Sequence, residues 1–257
     1  MSATVVTWLG QAGLLVESGG TRVLIDPFVS EYPARRYSTP QPEAYAVGAD
    51  ALLVTHEHLD HLDEEFLPLL AQGSPGARIV VPRPIVDDVG RLVGADRVVG
   101  AAAGEDIRLT DDVSLKVVPA WHGLERDDGY STGEGRFLGY VIATPSLTLY
   151  HSGDTLATEE LVDHVRDAGV DVAFLPINGR DAFREARGLV GNMSFREAVE
   201  LATQIGASTL VPIHWDLFSG NTESPGRCVD EAVERDAGLH VVVLRRFVPF
   251  AFARPAG

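Results

Sequence analysis

Cysteine is almost missing from this chain. Cys228 is the only one in 257 residues, so an internal disulfide and a cysteine-based zinc site are excluded, and a reducing, cytoplasmic setting is expected. Long apolar runs are missing as well. No stretch approaches the ~18 uninterrupted apolar residues of a membrane span, and MSATVVTWLG at the amino terminus has neither the basic nor the long apolar segment of a secretory signal. No membrane association is therefore expected. Positive charge is short: 21 basic residues against 37 acidic ones leave a formal net of −16. A surface of that sign repels nucleic acid and anionic lipid unless a local basic patch intervenes. Histidine is sparse too, with eight residues.

What is present is ordinary for a globular protein, 45% apolar and 23% charged. Short β-rich runs recur, among them TVVTWL (4–9), GLLVES (13–18), TRVLID (21–26), DALLVTH (50–56), VSLKVVPA (113–120), FLGYVIA (137–143), LTLYHS (147–152), STLVPIH (208–214) and LHVVVLRRF (239–247). Glycine turns such as SGGT suggest hairpins early on. Later runs alternate with helical patterns, DEEFLPLLAQ, PIVDDVGRLVG, TEELVDHVRDAG and SFREAVELATQIGA. Ser194 and Glu197 have capping-box spacing, and Gly206 is placed to end that helix. Strands followed by helices in both halves predict a layered α/β fold. With no linker or low-complexity tract, residues 1–257 read as one domain. The irregular segments are 27–48, GLERDDGYSTGEGR (123–136) and NGRDAFREARGLVGNM (178–193), where loops carry function in such folds.

Against the scarcity of histidine, ALLVTHEHLDHLDEEFL (51–67) puts His56, His58, Asp60 and His61 within six positions. Imidazole and carboxylate are the ligands that Zn, Mn or Fe accept without sulfur. Four ligands cannot fill two coordination spheres, so distant residues must complete them. His122, Asp154 and His214 each close an apolar run, at the carboxyl ends of strands where an α/β scaffold collects its site.

THEHLDHLD resembles the H-x-H-x-D-H motif of the metallo-β-lactamase superfamily, and His122, Asp154 in GDT, and His214 match its later ligand positions in order. WLGQAG, LIDP (24–27) and VPIHWDLF (211–218) resemble the branch that contains L-ascorbate-6-phosphate lactonase and related metal-dependent hydrolases. The resemblance implies a four-layer αββα sandwich of two mixed sheets with the site at one edge. It implies His56, His58 and His122 on one divalent ion, Asp60, His61 and His214 on the other, and Asp154 between them. Zn or Mn is expected, with Fe an option. By analogy with that branch, a homo-oligomer is expected. One departure from relatives is Asn192-Met193, where several place His or Thr before Met.

Two such ions can share a water and lower its pKa from 15.7 to about 7, giving a hydroxide nucleophile. Asp154 would fix the metal separation and Asp60 would orient the nucleophile; these are the expected catalytic residues. The implied reaction is hydrolysis of a lactone or other carboxylic ester of a small metabolite, in one version phosphorylated. A small or cyclic phosphodiester is the alternative, and a non-catalytic metal-binding module the alternative of another class. Asp26 reads equally as a partner to a ligating imidazole or as a turn cap before Pro27; Asp216 is likewise either a support to His214 or a cap. Arg180, beside Asn178, is the expected substrate contact, although Arg180, Arg184, Arg187 and Arg196 stand among acidic residues and suit a salt-bridged surface. His151 is a candidate support for Asp154, whereas Trp121 and Trp215 read as packing walls. GYSTG (129–133) fits G-x-S-x-G, but the ERDD before it and EGRF after it lack the strand and helix that a nucleophilic Ser131 needs.

Overall fold

The computed structural model describes residues 3–125 and 129–254. The first half opens with an antiparallel meander, β1 (Thr4–Gly10), β2 (Gly13–Ser18) and β3 (Thr21–Ile25). After the short helix α1 (Pro42–Tyr45) the connections become crossovers: β4 (Ala51–Leu53), α2 (Phe66–Gly73), β5 (Arg78–Pro82), α3 (Val86–Val93) and β6 (Val98–Ala101). Helical crossovers return the chain to the same edge, so β3 to β6 run parallel.

The second half repeats the plan. β7 (Asp106–Arg108), β8 (Ser114–Pro119), β11 (Leu138–Ala143) and β12 (Thr148–His151) pair antiparallel, with the hairpin β9 (Gly123–Glu125) and β10 (Gly129–Ser131) inserted after β8. Then α4 (Glu159–Val165), β13 (Val172–Pro176), α5 (Ala182–Glu185), α6 (Phe195–Gln204), β14 (Thr209–Ile213), α7 (Gly226–Glu234) and β15 (His240–Val241) extend the sheet in parallel. Finally β16 (Pro249–Phe252) crosses over to pair with β1. The sheet orders are β16-β1-β2-β3-β4-β5-β6 and β15-β14-β13-β12-β11-β8-β7.

Side-chain alternation explains the layers. Val6, Trp8, Leu53 and Val80 face Val117, Tyr140, Phe174 and Ile213 between the sheets. Their strand neighbours Leu52, Ile79 and Val81 face outward onto Phe66, Leu67 and Val89 of the first helix layer. Ala173, Leu175 and Leu210 do the same against Leu161, Val199, Leu201 and Cys228. Strands buried on both faces read as continuous apolar runs, which is the pattern the sequence shows. The four-layer αββα sandwich is the expected one. The capping box on α6 is present too: Ser194 N donates to Glu197 Oε2 at 2.8 Å and Glu197 N to Ser194 Oγ at 3.4 Å.

Three details differ from expectation. LHVVVLRRF is not one strand: it pairs for two residues, and Leu244 then turns into the inter-sheet core as the chain crosses to β16. Segment 123–136 contains a hairpin, with Ser131 on its second strand rather than at a strand-to-helix elbow. The helix α7 and strand β16 carried no strong sequence signal. Among the described residues, no helix is long and apolar enough to cross a membrane.

Candidate metal centre

Every residue of the histidine cluster and its distant partners lies just past the carboxyl end of a strand: His56–His61 after β4, His122 after β8, Asp154 after β12 and His214 after β14. β4 stops early because Asp26 captures the chain. Thr55 N donates to Asp26 Oδ1 at 2.8 Å and Thr55 Oγ1 to Asp26 Oδ2 at 2.6 Å. The following residues then curl, with His61 N donating to His58 O at 2.9 Å, while Leu62 and Phe66 sink into the outer core. Asp154 depends on Gly153, whose φ of +61° and whose missing Cβ, which would lie 2.7 Å from Leu138 O, admit only glycine. Gln11, Asp26 and His214 also adopt positive φ (50°, 43° and 58°). Such strain costs about 1–3 kcal/mol each, and here three cases surround one site.

The turns bring seven side chains together in three overlapping groups, His56/His58/His122, His56/His61/Asp154 and Asp60/His61/His214, with the ligating atoms of each within 4.8 Å of one another. Asp154 sits centrally: its Oδ1 is 3.4 Å from His61 Nε2, and its Oδ2 is 3.5 Å from His122 Nε2 and 3.2 Å from His214 Nε2. Asp60 Oδ2 is 3.2 Å from His214 Nε2. All but His58 and Asp60 are buried.

Burial first, then the neighbouring His61, push His56 and His58 below the ordinary imidazole range, and burial brings His122 down to about 4. These three are neutral, with lone pairs to offer. Burial also opposes charge on His61 and His214, but the carboxylates prevail: Asp154, Asp26 and Asp60 raise His61 well above its usual value, and Asp154 and Asp60 raise His214 to about 9. In return, His61 and His214 hold Asp60 and Asp154 ionised against burial, well below the usual carboxylate range. A centre that needs positive charge beside two anions, with neutral imidazoles around it, is a donor set for divalent cations. Consistent with that, His61 Nε2 and Asp154 Oδ1 are buried without a hydrogen-bond partner. Buried polar atoms are rarely left so; an ion ligated there satisfies them, so the residues fit the metal.

The family model described as the beta-lactamase superfamily domain matches residues 21–215. The chain belongs to the beta-lactamase superfamily. It is 31% identical over 245 residues to a UPF0173 metal-dependent hydrolase of Pelotomaculum thermopropionicum, covering 93% of this chain and 96% of that one. A UPF0173 metal-dependent hydrolase of Pyrobaculum arsenaticum is 32% identical over 218 residues, 83% of this chain and 84% of its own. Among solved structures, the metallo hydrolase Igni18 of Ignicoccus hospitalis shares the fold with a TM-score of 0.78 at 21% identity, covering 99% of this chain and all of that one. The isothiocyanate hydrolase from Delia radicum gut bacteria does so with a TM-score of 0.77 at 17% identity, covering 97% of this chain.

In this superfamily member the supporting residues sort themselves by contact. Asp26 is the imidazole partner: its Oδ2 accepts from His61 Nδ1 at 2.7 Å, which aims Nε2 at Asp154. Asp216 does not reach the His214 ring. It accepts from Gln11 N at 3.2 Å, Tyr37 Oη at 2.5 Å and Arg246 Nη1 at 2.7 Å, tying three segments together. Gln11 itself was not singled out by the sequence reading, yet its Nε2 lies 2.7 Å from Asp60 Oδ2 and 3.0 Å from His214 Nε2; its only signal was the glycine-flanked turn in WLGQAG. His151 donates from Nε2 to Ala12 O at 2.8 Å and accepts from Gly153 N at 3.1 Å, so it steadies the turn that carries Asp154. Trp215 packs on Trp8, ring centroids 5.2 Å apart, as a wall.

The centre opens into a cavity of about 290 Å³ lined by His58, Leu59, Asp60, His122, Asp154, Gly188, Leu189, Val190, His214, Phe218 and Asn221. Neither Asn178 nor Arg180 is among its lining residues. Arg180 is gripped by both oxygens of Glu197 at 2.8 Å. Arg184 pairs with Asp181, Arg196 with Glu231, and Arg187 lies over the Phe183 ring, the salt-bridged surface that their acidic neighbours imply. Asn192 and Asn178 form a buried amide chain behind the cavity.

Proposed function

We propose that the chain hydrolyses a lactone or other carboxylic ester of a small molecule at a dinuclear metal centre. It is a metal-dependent hydrolase of the beta-lactamase superfamily, as its relatives are named. The observation that carries the reading is the convergence of seven His and Asp side chains around buried atoms that lack partners, at the mouth of a cavity. His56, His58 and His122 would hold one divalent ion, Asp60, His61 and His214 the other, and Asp154 would serve both. Bound there, the ions supply Lewis acidity that makes water nucleophilic near neutral pH and polarises a carbonyl.

The chain's own residues do the positioning. Asp26 fixes the His61 ring and leaves its Nε2 as the ligating atom. Gln11 donates to Asp60 Oδ2, which leaves Asp60 Oδ1 free to orient water or accept its proton. Water adds to the carbonyl carbon, the carbon–oxygen bond to the leaving alkoxide breaks, and the alkoxide takes up a proton, giving acid and alcohol. No serine or cysteine nucleophile enters: Ser131 Oγ accepts from Gly133 N in its hairpin, and Cys228 is buried in α7.

The experiment is metal analysis of the purified protein followed by assays of lactones, linear esters and cyclic phosphodiesters, with and without chelator. Lactone or ester turnover that chelation abolishes and Zn or Mn restores is the expected result. Turnover of phosphodiesters alone would replace the substrate class, and metal-loaded protein inert to the whole panel would leave a non-catalytic metal-binding module.

A further inference from the structure

Arg184 settles the polarity of three linked amides, two of them buried and Asn221 half-buried. A guanidinium only donates, so its Nη1, 2.7 Å from Asn221, must be meeting the carbonyl Oδ1. The same oxygen lies 2.9 Å from Asn178, which therefore offers Nδ2 and keeps its own Oδ1 to accept from Asn192 Nδ2 at 3.0 Å. Asn221 Oδ1 is thus saturated by two donors from behind, and Nδ2 is the group it has left to offer. Asn221 lines the cavity beside the metal centre. Its Nδ2 is the amide atom left to donate toward that cavity, and its orientation is set by Arg184 and Asn178.

The remaining non-ligand lining is apolar. Leu59 is 48% exposed and Leu189 52% exposed, large side chains facing solvent at the mouth. Phe218 stands with Phe28 and Tyr32 in a ring cluster at 6.2 and 6.3 Å. The Leu189–Val190 segment is anchored next door, where Tyr130 Oη accepts from Gly191 N at 3.1 Å and donates to Glu185 at 2.7 Å. No Lys or Arg lines this cavity among the described residues. A phosphate remote from the metals would meet leucine and phenylalanine there, with no Lys or Arg side chain in the lining to pair with it.

Resting on the hydrolase reading above, we infer that the substrate is an uncharged ester or lactone with an apolar arm, and that Asn221 is the residue that orients it. The arm lies on Leu59, Leu189, Val190 and Phe218. The Asn221 amide donates to an acceptor oxygen of the substrate.

The test compares metal-loaded wild type with two variants, using δ-decanolactone, a phosphorylated sugar lactone, and the lactam counterpart of δ-decanolactone as a ligand resistant to hydrolysis. Asn221→Asp keeps the size of the side chain and still accepts from Arg184 and Asn178, but has no donor. It should bind the lactam about tenfold more weakly by calorimetry, the worth of one hydrogen bond, and lose kcat/KM on the apolar lactone. Leu189→Lys changes an exposed side chain and should shift the kcat/KM ratio toward the phosphorylated lactone. Wild type preferring the phosphorylated lactone, or lactam affinity indifferent to Asn221→Asp, overturns the inference while leaving hydrolysis intact. Lactam binding that depends on Asn221, with neither lactone turned over, supports this recognition and removes the hydrolase reading instead.

Discussion

Asp26 Oδ2 holds His61 Nδ1 at 2.7 Å, with both side chains fully buried. One carboxylate therefore does two jobs, ending β4 through Thr55 and choosing which nitrogen of His61 faces Asp154. Outer partners of this type change metal affinity by 10–100-fold. Asp26→Asn should weaken metal binding within that range, because its amide can still accept from Thr55 N but no longer carries the charge that holds His61. Competition against a chromogenic chelator measures it; unaltered affinity would mean that Asp26 serves only the turn.

Asp154 lies within 3.5 Å of three imidazoles, whereas His58 is at the half-buried rim beside His56, Nδ1 to Nε2 2.9 Å. Asp154→Ala and His58→Ala should each cost more than an outer partner does, about a hundredfold or more in metal affinity, and remove activity. Because the two sheets and their cores are built from other residues, circular dichroism should be that of wild type. Metal content after exhaustive dialysis, read beside the spectrum, checks both halves of the expectation.

The sequence made the metal centre legible because ligand chemistry is restrictive: few residue types bind such ions, and here they cluster where histidine is otherwise rare. The fold was legible where burial is two-sided, as in VAFLP, since such a strand must be apolar throughout. It was not legible at β16, whose pattern is mostly exposed, nor in LHVVVLRRF, where alternation cannot say that the chain is about to leave one sheet for the other. The arginine cluster was hard to read for a related reason. Arginines in an acidic protein suggest anion binding, yet Glu197, Asp181 and Glu231 take up Arg180, Arg184 and Arg196. Asn221, the polar lining residue outside the metal-ligand set, has no pattern to announce it; its orientation depends on Asn178, 43 positions away.

Asp216 is 2% exposed and gathers Tyr37 from the loop after β3, Arg246 before β16 and the Gln11 turn. Removing one member of a fully buried charge pair costs 3–5 kcal/mol. Arg246 keeps part of its side chain in water, 37%, so Asp216→Ala should cost less, about 2 kcal/mol. Tyr37→Phe, which removes one neutral donor, should cost about 1 kcal/mol. Urea unfolding gives both numbers, and equal losses would mean that the Arg246 ion pair adds nothing beyond the Tyr37 hydrogen bond. Since Gln11 reaches Asp60, Asp216→Ala should also raise the metal dissociation constant, which Tyr37→Phe should do less.

Burial, followed by the nearby Glu223, pushes the Cys228 thiol up to about 12. In the unfolded chain it titrates near 8.5. Between those values the unfolded chain has released a proton that the native state still holds, so stability must fall as pH rises through the window and level off above it. Below the window the thiol is neutral in both states and contributes no slope. Cys228→Ala should remove this part of the alkaline decline while opening a small cavity, and denaturant titrations of both proteins from about pH 7 to 10 would separate the two effects. The same difference governs reactivity. At about pH 8 the native thiolate fraction is lower by roughly a thousandfold, so alkylation by iodoacetamide should wait for unfolding, and rapid labelling of the native protein would place Cys228 outside the core between α6 and α7.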